Sequence, residues 1–123
     1  MYIMNKIKVK VFKFGGSCFK DPEAFEQIIK ITKLFESNKK IYVCSALKGI
    51  TDKLIQVYNS ASYKNSQETL ETLKSIENQH KDTINDIFKS DEASKYKDRA
   101  NIYIEKKLKE INEILLDVEE FGI

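Results

Sequence analysis

No apolar run in these 123 residues approaches the roughly 20 needed to cross a bilayer, so the chain is expected to stay out of membranes. The first ten residues carry lysines but neither a continuous apolar stretch nor a small-residue cleavage site, and they do not read as a secretory signal. Cysteine is scarce. Cys18 and Cys44 stand far apart, outside any C-x-x-C or Cys/His pattern, which argues against a disulfide framework and a zinc site. These absences together predict a cytoplasmic location. A strong excess of one charge is lacking too: the net charge is +2, with 21 basic residues interleaved among 19 acidic ones. Such a surface is mixed and solvated and gives no footprint for nucleic acid. Internal repeats and low-complexity linkers are also missing.

What is present fits a single domain with one modest core, at 41% apolar and 33% charged residues. The chain changes character near residue 60. Ile7, Val9 and Val11 alternate with Lys8 and Lys10, the period of a half-buried strand, before both faces turn apolar at Phe12. Asp21-Pro22-Glu23 predicts a helix start, with a capping aspartate, proline at the first helical position and an acid in the first turn. Ala24, Ile28, Ile31 and Phe35 then share one face, and Ser37-Asn38 closes the helix. Ile41 to Cys44 reads as a second, mostly buried strand. Gly49 breaks the chain, and Leu54, Ile55 and Tyr58 suggest a helix beginning near Thr51 or Asp52. Strand, helix, strand, helix predicts a parallel βαβ unit with a right-handed crossover, in an α/β fold.

After residue 60 everything reads helical. Asn65 and Glu68 form a capping-box pattern. Leu73, Ile76, Ile84 and Ile87 make an apolar stripe interrupted by His80, and Ser90-Asp91 allows a new start. Ile104, Leu108, Ile111, Leu115 and Val118 follow at alternating four- and three-residue spacing. Too few heptads are sustained for a coiled coil, so helices packed on each other or on the sheet are expected.

The residues with chemistry in them lie at the end of the first strand. Lys13 sits between Phe12 and Phe14, followed by Gly15 and Gly16. An unpaired ammonium costs several kcal/mol, roughly, inside an apolar strand, so Lys13 is expected at the strand's open end. Glycines let backbone N–H groups approach an anion, and a lysine beside them adds a mobile point charge for phosphate oxygens. Ligands of open α/β sheets collect outside the carboxyl ends of strands. Neither a Walker A loop nor a G-x-G-x-x-G fingerprint is present. A tight strand-to-helix turn with an exposed lysine satisfies the same residues.

Lys13-Phe14-Gly15-Gly16-Ser17-Cys18 resembles the N-terminal K-F-G-G-T-S signature of aspartate kinases, with Ser17 and Cys18 replacing the commoner threonine and serine and Phe19 a small aliphatic residue. Val43 to Leu54 resembles the V-x-S-A-x-x-G-x-T-x-x-L segment of the same family, carried by Ser45, Ala46, Gly49, Thr51 and Leu54. The two motifs cover about the first 60 residues. The resemblance implies the start of an amino-acid-kinase-type three-layer fold, with residues 1–60 as its βαβα motif region, residues 65–123 as a helical segment, and no regulatory domain. It implies that Lys13, Phe14, Gly15 and Gly16 belong to the ATP phosphate site, with Lys13 catalytic, and that Thr51 and Ser45 serve the substrate. L-aspartate and ATP would be the reactants, with Mg²⁺ held through ATP and residues outside this chain, and the full-length protein would be a homo-oligomer. A hydroxyl and free N–H groups at a helix start suit a carboxylate. Thr51 also reads as a plain helix cap.

Other polar residues read as structural. Cys44 is expected as a small buried strand residue, and Cys18 as loop packing, since phosphoryl transfer needs no thiol nucleophile. His80 is expected to be hydrogen-bonded at a helix contact, and Glu119-Glu120 solvated. The family's later F-G-E glutamate and metal-proximal aspartates find no match; Phe121-Gly122-Ile123 has isoleucine where the acid belongs. The resemblance therefore implies an N-terminal part of an aspartate kinase, with little turnover by itself. The alternatives are another amino-acid kinase, acting on acetylglutamate, glutamate or a nucleotide, and a non-catalytic binding or dimerisation module of the same fold.

Overall fold

The computed structural model describes residues 8–36 and 39–122. Its contacts divide the chain into two compact units, one up to Lys48 and one from Gly49.

The first unit runs β1 (Val9–Phe14), a 3₁₀ turn (Gly16–Phe19), α1 (Pro22–Lys33) and β2 (Lys39–Cys44). The strands pair in parallel, with Val11 opposite Ile41 and Phe14 opposite Cys44, as the βαβ reading requires. Helix α1 starts where its cap predicts: the Asp21 carboxylate accepts from the Ala24 amide at 2.8 Å and Pro22 opens the helix. It ends at Lys33, earlier than expected. The Leu34 amide turns back to the Ile31 carbonyl at 3.1 Å, and Phe35, now beyond the helix, meets the edge of Phe12 at 5.7 Å. Ser37 and Asn38, the expected terminators, lie outside the described residues, as does Ile7 of the strand pattern. Lys40 of β2 donates to the Thr32 carbonyl at 2.7 Å, tying the second strand to the last turn of α1.

Alternation gives the sheet two unlike faces. Phe12 and Phe14 point together, their rings parallel at 6.3 Å, and Tyr42 stacks on Phe12 at 5.5 Å. Val9, Val11 and Lys13 take the other side, with Ile41 and Val43 in register. The expectation of a mostly buried second strand is corrected: Ile41, Tyr42 and Val43 are each about half exposed, and Cys44 is exposed rather than packed. Among its described residues the unit has one α-helix, which can cover only one face of the two strands.

The second unit contains α2 (Ile50–Ser62), α3 (Ser66–Ile87), a 3₁₀ turn (Asp91–Ala93) and α4 (Ser94–Phe121). Val57 and Ala61 of α2 meet Leu115 and Val118 of α4 in a core edged by Leu73 and Ile111. The spaced apolar ladder of α4 thus packs helix on helix. In α2 the buried row is Ile50, Val57 and Ala61, while Ile55 and Tyr58 stay about half exposed and Leu54 more than a third. Ser60 and Thr69 are buried as a pair, their hydroxyls 2.9 Å apart. The α2–α3 turn returns the Asn65 amide to Ser60 O at 2.8 Å, with Lys64 in the left-handed region at φ 58°. Asn65 caps α3 as expected, accepting from the Glu68 amide at 3.2 Å and donating to its carboxylate at 2.9 Å. His80 Nδ1 donates to the Ile76 carbonyl at 2.8 Å, the structural role expected of it. Glu119 departs from expectation by accepting from the Ser66 hydroxyl. Among the described residues no helix is long and apolar enough to cross a membrane.

Candidate functional site

Four of the candidate residues fall in one stretch at the carboxyl end of β1. Lys13 and Phe14 are its last two residues, Gly15 follows, and Gly16 opens the 3₁₀ turn. The strand's alternation separates the first two. Phe14 is turned into the aromatic cluster and buried, whereas Lys13 is exposed on the opposite face. Among the described residues, no hydrogen bond or ion pair holds the Lys13 ammonium.

The glycines are not there to relieve the backbone. Gly15 has an ordinary extended conformation, φ −77° and ψ 174°, and a Cβ added to Gly15 or Gly16 would meet nothing within 4 Å. The fold alone would accept alanine at either position; what glycine leaves is open space above the backbone. The turn is closed by the Cys18 amide donating to Gly15 O at 3.0 Å, and no side chain caps it. The amides of Gly16 and Ser17, first in the turn, have no carbonyl to reach inside it. The Ser17 amide is a donor that residue type alone did not single out.

Ser45 joins this group through the sheet. Its amide donates to the Phe14 carbonyl at 3.1 Å, extending the ladder one step past Cys44. Ser45 thereby lies beside the exit of β1, exposed, its hydroxyl without a hydrogen bond among the described residues. A cleft of about 340 Å³ adjoins the turn, lined by Phe14, Cys18, Asp21, Ala24 and Ile28 on the α1 side. Cys18 is half-buried there, in keeping with a packing role.

Thr51 belongs to the second unit. The cap of α2 is Gly49, whose φ of 82° strains any residue with a side chain. Thr51 is therefore the second residue of the helix, and the plain capping role is corrected: no side chain caps α2. Its hydroxyl is exposed and free of hydrogen bonds among the described residues, beside the amides of the first helical turn. The Gly49 requirement was written in the G-x-T spacing, but only the backbone angle gives its cause.

A hollow of about 580 Å³ between α2 and α3 contains none of these residues. Of the two acids that line it, Asp52 and Glu68, Glu68 has both carboxylate oxygens taken by Gln56 and Asn65, at 3.1 and 2.9 Å. No group of three or more His, Cys, Asp or Glu side chains among the described residues is arranged to hold a metal.

A model of the amino acid kinase family matches residues 8–118. Over 91 residues the chain is 28% identical to the bifunctional aspartokinase/homoserine dehydrogenase 1, chloroplastic, of Arabidopsis thaliana, a match covering 74% of this chain and 10% of that protein. It is also 28% identical over 87 residues to the bifunctional aspartokinase/homoserine dehydrogenase, chloroplastic, of Daucus carota, covering 70% of this chain and 9% of that one. The matched part thus spans about a tenth of the length of these relatives.

Proposed function

Because this chain belongs to the amino acid kinase family, we propose that it supplies the nucleotide-facing part of a phosphotransferase, and specifically of an aspartate kinase. The observation that carries this reading is Lys13: an exposed ammonium without a partner among the described residues, at the carboxyl end of a parallel strand, beside a glycine turn with open space and with amides that no described residue engages. In the proposed reaction a side-chain carboxylate oxygen of L-aspartate attacks the γ-phosphorus of ATP. The bond from that phosphorus to the bridging oxygen breaks, and ADP leaves with the electron pair. Both reactants are anions, so the protein's work is positioning and charge stabilisation. Lys13 holds phosphate oxygens and meets the charge that develops on the transferring group. The Gly16 and Ser17 amides donate to neighbouring oxygens, and Phe14, packed beneath, fixes the direction in which Lys13 leaves the strand. Ser45 and Thr51 serve the acceptor, the Thr51 hydroxyl and α2 amides suiting a carboxylate. Mg²⁺ fits this chain only as a companion of the nucleotide, since the described residues offer no acidic cluster for it.

Titration of Mg²⁺–ATP into the chain tests the reading. Lys13→Ala removes a charge-assisted contact of about 1.5–3 kcal/mol, so affinity should fall about tenfold to a hundredfold while far-UV circular dichroism stays the same. Gly15→Ala should weaken binding without altering stability. Unchanged affinity in Lys13→Ala would sink the nucleotide role. ADP release that follows glutamate, acetylglutamate or a nucleoside monophosphate, but not aspartate, would leave the family and remove the aspartate assignment.

A further inference from the structure

Helix α4 presents a second face that the core does not use. Tyr96, Tyr103, Ile114 and Phe121 are between 57% and 66% exposed. At about 100° per residue these four fall within about 20° of one another, about a quarter turn from the ladder that enters the core. Lys107 and Glu110 flank the middle of this row.

The row is symmetric about the peptide bond between Leu108 and Lys109. Lys107 and Glu110 are equidistant from that point, as are Tyr103 and Ile114, and Tyr96 and Phe121. Charge follows the same centre with opposite sign. The fourteen residues Ser94–Lys107 carry five basic and two acidic side chains; the fourteen from Leu108 to Phe121 carry one basic and five acidic. This order runs against the helix macrodipole, which favours acids at the start and bases at the end. The first turn of α4 has no acid and the last turn no base.

We propose that this face of α4 docks on the same face of a second copy of the chain, antiparallel, about a two-fold axis at Leu108–Lys109. An antiparallel copy sets each basic half against an acidic half and opposes the two helix dipoles; a parallel copy would set like against like. Across the axis Tyr103 meets Ile114 of the second copy, Tyr96 meets Phe121 of the second copy, and Lys107 meets Glu110 of the second copy. Arg99 and Asp117 lie on one flank of the row at nearly matching distances from the axis, so they too come opposite. In the single chain Lys107 donates to its own Glu110 at 2.7 Å, an exposed pair that contributes little and is exchanged at little cost. The surface is self-complementary, as an isologous interface must be. Its row, about 37 Å long but only four large apolar side chains rich, suits a reversible dimer. This inference concerns association and stands apart from the phosphoryl-transfer reading.

The test is sedimentation equilibrium on the 123-residue chain. The average mass should rise with concentration from 14.3 kDa towards twice that value. Lys107→Glu and Glu110→Lys each turn both central contacts into like-charge pairs, and each should weaken self-association several-fold to about tenfold. An equimolar mixture of the two variants restores opposite charges at both contacts and should associate as the unsubstituted chain does. The double variant should also self-associate normally, and circular dichroism checks that every variant remains helical. A chain that stays monomeric to about 1 mM, single variants that associate undiminished, or a mixture no better than its components would each overturn the proposal.

Discussion

The unit up to Lys48 and the helical unit from Gly49 place their apolar residues differently. In the helices the repeating positions of α2 and α4 converge, and Val57, Ala61, Leu115 and Val118 lose nearly all contact with water. In the first unit Val9, Val11, Ile41 and Val43 form a row as apolar as any core, yet it stays about half exposed. Burial there is left to Phe14, Phe19 and Thr32 and to an aromatic cluster on one side of the sheet. The motif residues Lys13, Gly15, Gly16 and Ser45 belong to the thinly packed unit, at positions where the fold itself makes few demands, while Gly49 and Thr51 open the helical unit. Most of the candidate site is therefore written apart from the packed core, with Thr51 the exception.

Truncating an apolar side chain to alanine in each unit should expose that contrast most visibly. Leu115→Ala is expected to cost about 2–5 kcal/mol in urea unfolding, through lost burial and the cavity left behind. Val11→Ala, on the open face of β1, should cost less than about 0.5 kcal/mol. Equal costs would mean that the sheet face is covered as fully as the helical core. A smaller effect belongs to the helix cap: Asn65→Ala removes an acceptor for the Glu68 amide and a donor to its carboxylate, and should lower stability by about 0.5–2 kcal/mol.

The smallest expected effect is electrostatic and confined to the helical unit. Hydrogen bonds from Lys81 and then Lys74 hold the Glu77 carboxyl below its ordinary value of 4.5, and Lys81 reaches on to Glu105 of α4 at 3.5 Å. A carboxyl lowered on folding stabilises the fold above its unfolded-state pKa, and that contribution fades as pH falls through the lower folded-state value. Between about pH 5 and pH 3 the unsubstituted chain should therefore lose melting temperature faster than Glu77→Gln. At neutral pH the two should differ by less than about 1 kcal/mol, because the group is near the surface. Parallel melting curves across that window would remove Glu77 from the acid response.

Much of this architecture is legible in the sequence, for identifiable reasons. Caps are local chemistry, so Asp21 and Asn65 mark their helices correctly. Long apolar repeats survive any packing arrangement, so the α3 stripe and the α4 ladder are found where expected. Periodicity fails where one element has two candidate faces: Leu54, Ile55 and Tyr58 announce α2, but Ile50, Val57 and Ala61 fill it. It fails again at β2, where apolar composition signals a strand and says nothing about what covers it. The mutual bond of Ser60 and Thr69 was invisible too, since a buried hydroxyl pair resembles any two polar residues in a helix. At the candidate site the glycine pair was legible as a motif, and the structure adds that the backbone does not require it.

The left-handed Lys64 between α2 and α3 has a consequence for how this molecule can change. A side chain in that conformation costs about 1–2 kcal/mol, and glycine is its usual occupant at a helix end. The turn thus holds the helical unit below the thermal tolerance its own backbone allows. A single exposed position, remote in sequence from Lys13, lets selection or a protein engineer raise or lower that tolerance without disturbing the core.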